Sequence, residues 1–174
     1  MKNKKKKICL VSSSGGHFEQ LLMLRKLNED FEIFIVTEKT EYNGKDKKIN
    51  HFLIQVNRKE FLFLIKMFLN FIKSLYIFII ERPDVIISTG ALATIPMLFI
   101  GHIFHKKIIY IESFAKVNSP TQTGKLIYSK KIADRFYVQW EEMLKFYPNA
   151  IYKGGIYWWF LLQLVRKNFN LIDF

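Results

Sequence analysis

The stretch Lys7-Ile8-Cys9-Leu10-Val11-Ser12-Ser13-Ser14-Gly15-Gly16-His17-Phe18-Glu19-Gln20-Leu21-Leu22 decides how this chain is read. Ile8 to Val11 is an unbroken apolar run, the pattern of a strand buried on both faces of a parallel sheet. Three serines and two glycines end it, and Phe18, Leu21 and Leu22 then recur at helical spacing. Strand, glycine turn and helix in that order open a βαβ unit, whose ligands collect at the carboxyl ends of the strands.

Outward from this unit, short apolar β-branched runs alternate with longer helical stretches, the signature of a parallel sheet wrapped by helices. Strands are expected at Lys7 to Ser12, Glu32 to Thr37, Phe52 to Val56, Val85 to Ser88, Ile108 to Glu112, Arg135 to Gln139 and Ala150 to Tyr152. Helices are expected at His17 to Leu27, Lys59 to Ile80, Ala91 to Phe104, Gly124 to Ile132 and Glu141 to Phe146. The fold class is therefore α/β, a Rossmann-like parallel sheet with helices on both faces. No repeat or low-complexity linker divides it, so residues 1–155 read as one domain. In the tail, residues 156–174, Trp158, Leu161, Leu162 and Val165 recur at the spacing of a short amphipathic helix.

Composition narrows the partners. Among 174 residues, 27 Lys plus Arg face 15 Asp plus Glu, a net charge of +12, and half the chain is hydrophobic, which excludes disorder and implies an anionic partner. Only five of those cations are Arg. Base readout leans on Arg forks, so a lipid surface is favoured over nucleic acid. Lys2 and Lys4 to Lys7 resemble the start of a signal peptide, but the apolar core behind them stops at Val11 and no cleavage site follows. The single cysteine, Cys9, reads as a small buried hydrophobe in a reducing compartment, the cytoplasm.

Phe61 to Ile80, FLFLIKMFLNFIKSLYIFII, is abnormal for a helix of a soluble sheet protein. Lys59, Lys66 and Lys73 recur every seven residues and line one narrow stripe, with Asn70 on the same side and apolar residues elsewhere. Two lysines near a bilayer centre cost about 2.5–3.5 kcal/mol each on insertion scales, which disfavours a span. A helix lying in the interface fits better, with Lys59, Lys66 and Lys73 toward headgroups and Phe63, Met67 and Phe71 toward lipid. The alternative is a helix packed between the sheet and a partner protein.

Three polar turns fall on one sheet edge. Ser14, Gly15, Gly16 and His17 follow the first strand. Glycines there let the backbone approach an anion closely, and free N–H groups point at it; the alternative is a tight turn. The loop is neither a Walker loop nor GxGxxG. His17 at the helix mouth is suited to hydrogen bonding a phosphate or hydroxyl or to general-base work, or else it is a helix cap. Thr89 and Gly90 place a second glycine turn on this edge, and Glu112 and Ser113 bring a carboxylate and a hydroxyl. A hydroxyl within Ser119 to Gly124 is expected to cap the next helix. His51, His102 and His105 have no carboxylate or cysteine at ligand spacing, so neither a metal site nor a cofactor is expected.

The segments SSSGGHFEQLLML, DVIISTGALATIPM and IIYIESFAKVNSPTQTGKLIYSKKIADRFYVQW, spread between Lys7 and Gly155, resemble the Alg14-like family of oligosaccharide biosynthesis proteins. That resemblance implies the N-terminal, acceptor-side half of a GT-B glycosyltransferase, similar to the corresponding half of MurG. A partner subunit would bind the nucleotide sugar, and the pair would extend a polyprenyl-diphosphate-linked saccharide at the cytoplasmic face of the membrane. Bacterial members of the family act in capsule and exopolysaccharide synthesis. Carried onto this chain, the resemblance implies that Ser14, Gly15, Gly16 and His17 face the acceptor diphosphate or hydroxyl, with Thr89, Gly90, Glu112 and Ser113 shaping the pocket; His17, and Glu112 in its place, are the expected catalytic groups. The tail beyond Gly155 departs from the family pattern. A self-sufficient transferase and a basic nucleic-acid-binding module are the competing readings.

Overall fold

The computed structural model describes residues 5–44 and 46–157. Seven parallel strands form one sheet: β1 (Lys7–Ser12), β2 (Glu32–Glu38), β3 (His51–Leu53), β4 (Val85–Gly90), β5 (Lys107–Ile111), β6 (Arg135–Val138) and β7 (Ile151–Tyr152). Their order is β3-β2-β1-β4-β5-β6-β7, so the chain reverses direction across the sheet at β1 and β4, the place where open α/β sheets hold ligands. All seven expected strands are present.

Alternate residues of each strand feed two cores. Ile8 and Leu10 meet Phe18, Leu21, Leu24 and Leu27 on one face. Cys9 and Val11 join Ile77, Phe78, Met97 and Ile127 on the other. The first face is covered by α1 (Gly16–Leu22). The second carries α2 (Phe63–Glu81), α3 (Ile95–Ile103) and α4 (Gln122–Ser129). Cys9 is wholly buried, and burial pushes its thiol pKa up, as expected of a core residue.

Several boundaries differ from expectation. The first helix tightens into a 3-10 segment over Met23–Glu29. Leu21, Leu24 and Leu27 are all fully buried, and their spacing of three suits 3-10 geometry better than an α-helix. The third strand stops at Leu53 because side chains take over its backbone partners: Asn70 holds both the N–H and the carbonyl of Ile54, each at 2.8 Å. The expected Glu141 to Phe146 helix is a 3-10 turn, Glu141–Lys145. Thr121 caps α4 by accepting from the Gly124 N–H at 2.8 Å, as the hydroxyl-rich stretch predicted.

The long apolar helix turns its Asn70 side, expected to face headgroups, toward the sheet. Lys59 lies in a turn before α2, and the polar stripe of Asn70 and Ser74 faces the sheet, both residues 0% exposed, beside Ile77 and Phe78. Lys66 is half-buried and pairs with Glu60, while Phe63 and Met67 sit half-buried on the inner flank. Of the six proposed membrane-contact residues, Lys59, Phe71 and Lys73 are exposed. The outer face is instead Leu64, Ile65, Phe68, Ile72, Tyr76 and Ile79. Asn70 wins the inward position because its amide satisfies two backbone groups that would otherwise be buried unpaired. The candidate tail helix at 158–174 and the lysines at 2–4 lie outside the described residues.

Candidate functional site

The carboxyl ends of β1, β2 and β4 converge on the Ser13–His17 loop. Val11 and Ser12 pair with Ser88 and Gly90 of β4 across a register shift, and the Ser13 N–H donates to the Gly90 carbonyl at 2.8 Å. Gly15 has φ +72, a left-handed conformation that glycine adopts freely. Gly16 has no positive φ, and a side chain there would meet nothing within 4 Å. Both glycines are exposed. Among the described residues, no protein acceptor is recorded for the N–H groups of Gly15, Gly16 and His17. α1 is only seven residues long, so what the loop presents is these amides rather than the dipole of a long helix.

His17 is bound reciprocally to Thr89. Its Nδ1 lies 2.7 Å from the Thr89 carbonyl, and the Thr89 hydroxyl donates to the His17 carbonyl at 2.8 Å. A carbonyl only accepts, so Nδ1 carries a proton, and in the neutral ring the lone pair is on Nε2. That tautomer is the one a general base needs, and the half-buried ring leaves it reachable. Gly90, at φ +89, permits this arrangement: a Cβ there would lie 3.4 Å from the His17 ring and 3.2 Å from the Tyr110 hydroxyl.

Other expected residues take different posts. Ser14 turns away from the open side of the loop, since both its N–H and its hydroxyl meet the Glu38 carboxylate, at 3.1 and 3.3 Å. Thr89 is fully buried and serves His17. Glu112 was expected to open onto the cleft but is 1% exposed. Its oxygens accept from the Ser113 N–H at 2.8 Å, the Thr121 hydroxyl at 2.8 Å and the Tyr147 hydroxyl at 2.7 Å. Burial, together with the negative Glu112, pushes the Tyr147 phenol pKa up, keeping it a donor. Glu112 therefore anchors the β5–α4 loop, and a Cβ on Gly124 would collide with it. Ser113 is buried beside it.

Sequence reasoning missed the polar residues behind the loop. Gln20 donates to the Gly16 carbonyl at 3.2 Å and accepts from Gln139 at 2.7 Å; Gln139 in turn accepts from the Ile156 N–H at 2.8 Å. Glu38 and Asn70 are also buried polar groups fully engaged with backbone. The signal for Glu38 was available, a carboxylate at a strand end on the same edge as Glu112. Gln20, on an amphipathic helix, carried none.

Fold and site together define a class, a Rossmann-like parallel α/β domain with an open glycine loop at its strand ends. MurG of Acinetobacter baumannii superposes with a TM-score of 0.63 at 12% identity, covering 79% of this chain and 42% of that one. The UDP-N-acetylglucosamine 2-epimerase of Rickettsia bellii gives 0.69 at 12% identity, covering 94% and 48%. At that identity the likeness is one of fold. The chain belongs to the family described as "Oligosaccharide biosynthesis protein Alg14 like", whose profile matches residues 39–156, a span that begins beyond the glycine loop. Its curated relatives include the "UDP-N-acetylglucosamine transferase subunit ALG14" of Candida albicans, 38% identical over 80 residues, covering 42% of this chain and 36% of that protein. The protein of that name from Homo sapiens is 31% identical over 81 residues, covering 43% and 37%. The matched stretch thus spans little more than a third of these relatives.

Proposed function

We propose that this chain is the acceptor-binding, membrane-recruiting subunit of a two-component glycosyltransferase. A partner subunit supplies the donor half and binds the nucleotide sugar, and the acceptor is a polyprenyl-diphosphate-linked saccharide of capsular or exopolysaccharide synthesis. The observation that carries this reading is the open Gly15-Gly16-His17 loop, with unpaired amides for a diphosphate beside a histidine whose Nε2 is free to take a proton from an acceptor hydroxyl. One Rossmann-like half fits a division of labour, because a GT-B transferase closes its site between two such halves. The relatives named as transferase subunits support it.

The outer face of α2 supports the lipid side. Leu64 is 76% exposed and Phe68 63%, and the chain carries +12 net charge overall, which suits an anionic bilayer surface at the cytoplasmic face. By length and hydropathy α2 could cross a bilayer, but its other face is fixed to the sheet by Asn70, Ser74, Ile77 and Phe78. It therefore lies on the membrane. The test is reconstitution: transfer of labelled sugar to lipid-linked acceptor should require this chain and a donor-binding partner together. Full activity from this chain alone would overturn the reading in favour of a self-sufficient enzyme.

A further inference from the structure

We propose that Glu38 and Asn70 are positioning residues that hold the glycine loop at a set height and orientation relative to the apolar face of α2, so that the chain selects a diphosphate held at a bilayer surface over the same group free in solution. The proposal rests on the reading of Gly15-Gly16-His17 as a diphosphate cradle and of α2 as a membrane-docking face.

Asn70 projects from α2 and is 0% exposed; its amide accepts from the Ile54 N–H and donates to the Ile54 carbonyl, both at 2.8 Å. Two residues on, the Val56 N–H donates to Glu38 Oε1 at 3.0 Å. Glu38, 4% exposed at the end of β2, offers its other oxygen to the Ser14 N–H and hydroxyl. Hydrogen bonds at both ends of the short backbone segment Ile54 to Val56 thus link the docking helix to the cradle. Buried side chain to backbone bonds of this kind fix geometry, since breaking one strands a polar group in the interior.

Glu38 is also the wrong charge for its place. A carboxylate one residue from an anion cradle lowers the cradle's affinity, and a neutral acceptor could hold Ser14 without that cost. A carboxylate, however, offers two acceptor oxygens and can bridge two N–H groups at once. Position explains what affinity does not. The direction of α2 agrees: as the crossover between parallel strands β3 and β4 it runs back across the sheet, so its first turns leave from the cradle edge. A lipid diphosphate sits at headgroup level, and a cradle braced to the helix meets it at that level.

The test uses the full chain and two probes. Inorganic pyrophosphate is titrated against the Gly15 and Gly16 amide resonances in ¹⁵N-labelled protein. Sedimentation is compared on phosphatidylcholine–phosphatidylglycerol vesicles with and without a long-chain polyprenyl diphosphate. Wild type should shift at both glycines and prefer the diphosphate vesicles by at least about tenfold, within the range usual for coupled sites. Asn70→Ala breaks the brace away from the cradle, and Glu38→Asp shortens it while keeping the charge. Each should keep its pyrophosphate affinity within about threefold yet lose most of the vesicle preference. Preference retained in a folded variant overturns the proposal, as does a parallel fall in both binding modes, which is what a merely structural role predicts. If Asn70→Ala does not fold, Glu38→Asp decides alone. Wild type with no glycine shifts overturns the cradle reading itself and the proposal with it.

Discussion

Replacing Leu64, Ile65 and Phe68 together with glutamine should release the protein from anionic vesicles without unfolding it. These side chains are 76%, 57% and 63% exposed, which amounts to about two whole apolar side chains facing out. Full burial of that surface is worth about 3–6 kcal/mol. A helix lying at interfacial depth keeps its rim wet, so about 2 kcal/mol, or roughly 30-fold in partitioning, is the expected loss. The folding cost should stay within about 0.5 kcal/mol, because glutamine is a good helix former and little core contact is removed. Vesicle sedimentation against lipid concentration reads the first quantity and thermal unfolding the second. The same substitution at Phe63 and Met67, half-buried against the domain, should cost stability instead. A triple variant that sediments like wild type with an unchanged Tm would refute α2 as the docking face.

Three further outcomes follow from the site and its frame. His17→Ala should lower turnover of the reconstituted pair by about 10²–10⁴-fold if Nε2 is the general base, with partner pull-down intact; a rise in acceptor KM alone would make it a positioning contact. Gly16→Val should keep a near-wild-type Tm while abolishing pyrophosphate shifts, because open space surrounds that position, whereas Gly15→Val should lower Tm through its positive φ; equal Tm losses would contradict this division. Glu81 is partly buried, which raises its pKa, but hydrogen bonds from Lys7 and His51 outweigh that and hold it below the usual carboxylate range. Its stabilising effect is therefore present above the ordinary glutamate pKa and lost as pH falls through the depressed one, so Glu81→Gln should flatten the acid limb of a urea-midpoint profile; an unchanged limb would refute the assignment.

The sequence by itself determined the elements that local pattern dictates. Ile8 to Val11 and its sister runs read as buried parallel strands, since they are short, rich in β-branched residues and bounded by turn residues. The glycines after Ser14 marked the loop because a close backbone approach needs residues without side chains, and Thr121 was legible as a cap from hydroxyls placed before a helical run. What the tertiary structure decided is the direction in which polar side chains point. Lys66, Asn70 and Ser74 form one stripe in either environment. Only the unpaired backbone of Ile54, brought alongside by the β3–α2 turn, made the protein interior the better place for Asn70 and left the apolar side outward. The same holds for the carboxylates: Glu38 and Glu112 both end strands on the site edge, and both turned inward. Distant segments delivered N–H and O–H donors to them, Val56 to the one and Thr121 and Tyr147 to the other. A buried carboxylate is stable only where such donors converge, and that convergence belongs to the fold rather than to any local stretch of chain.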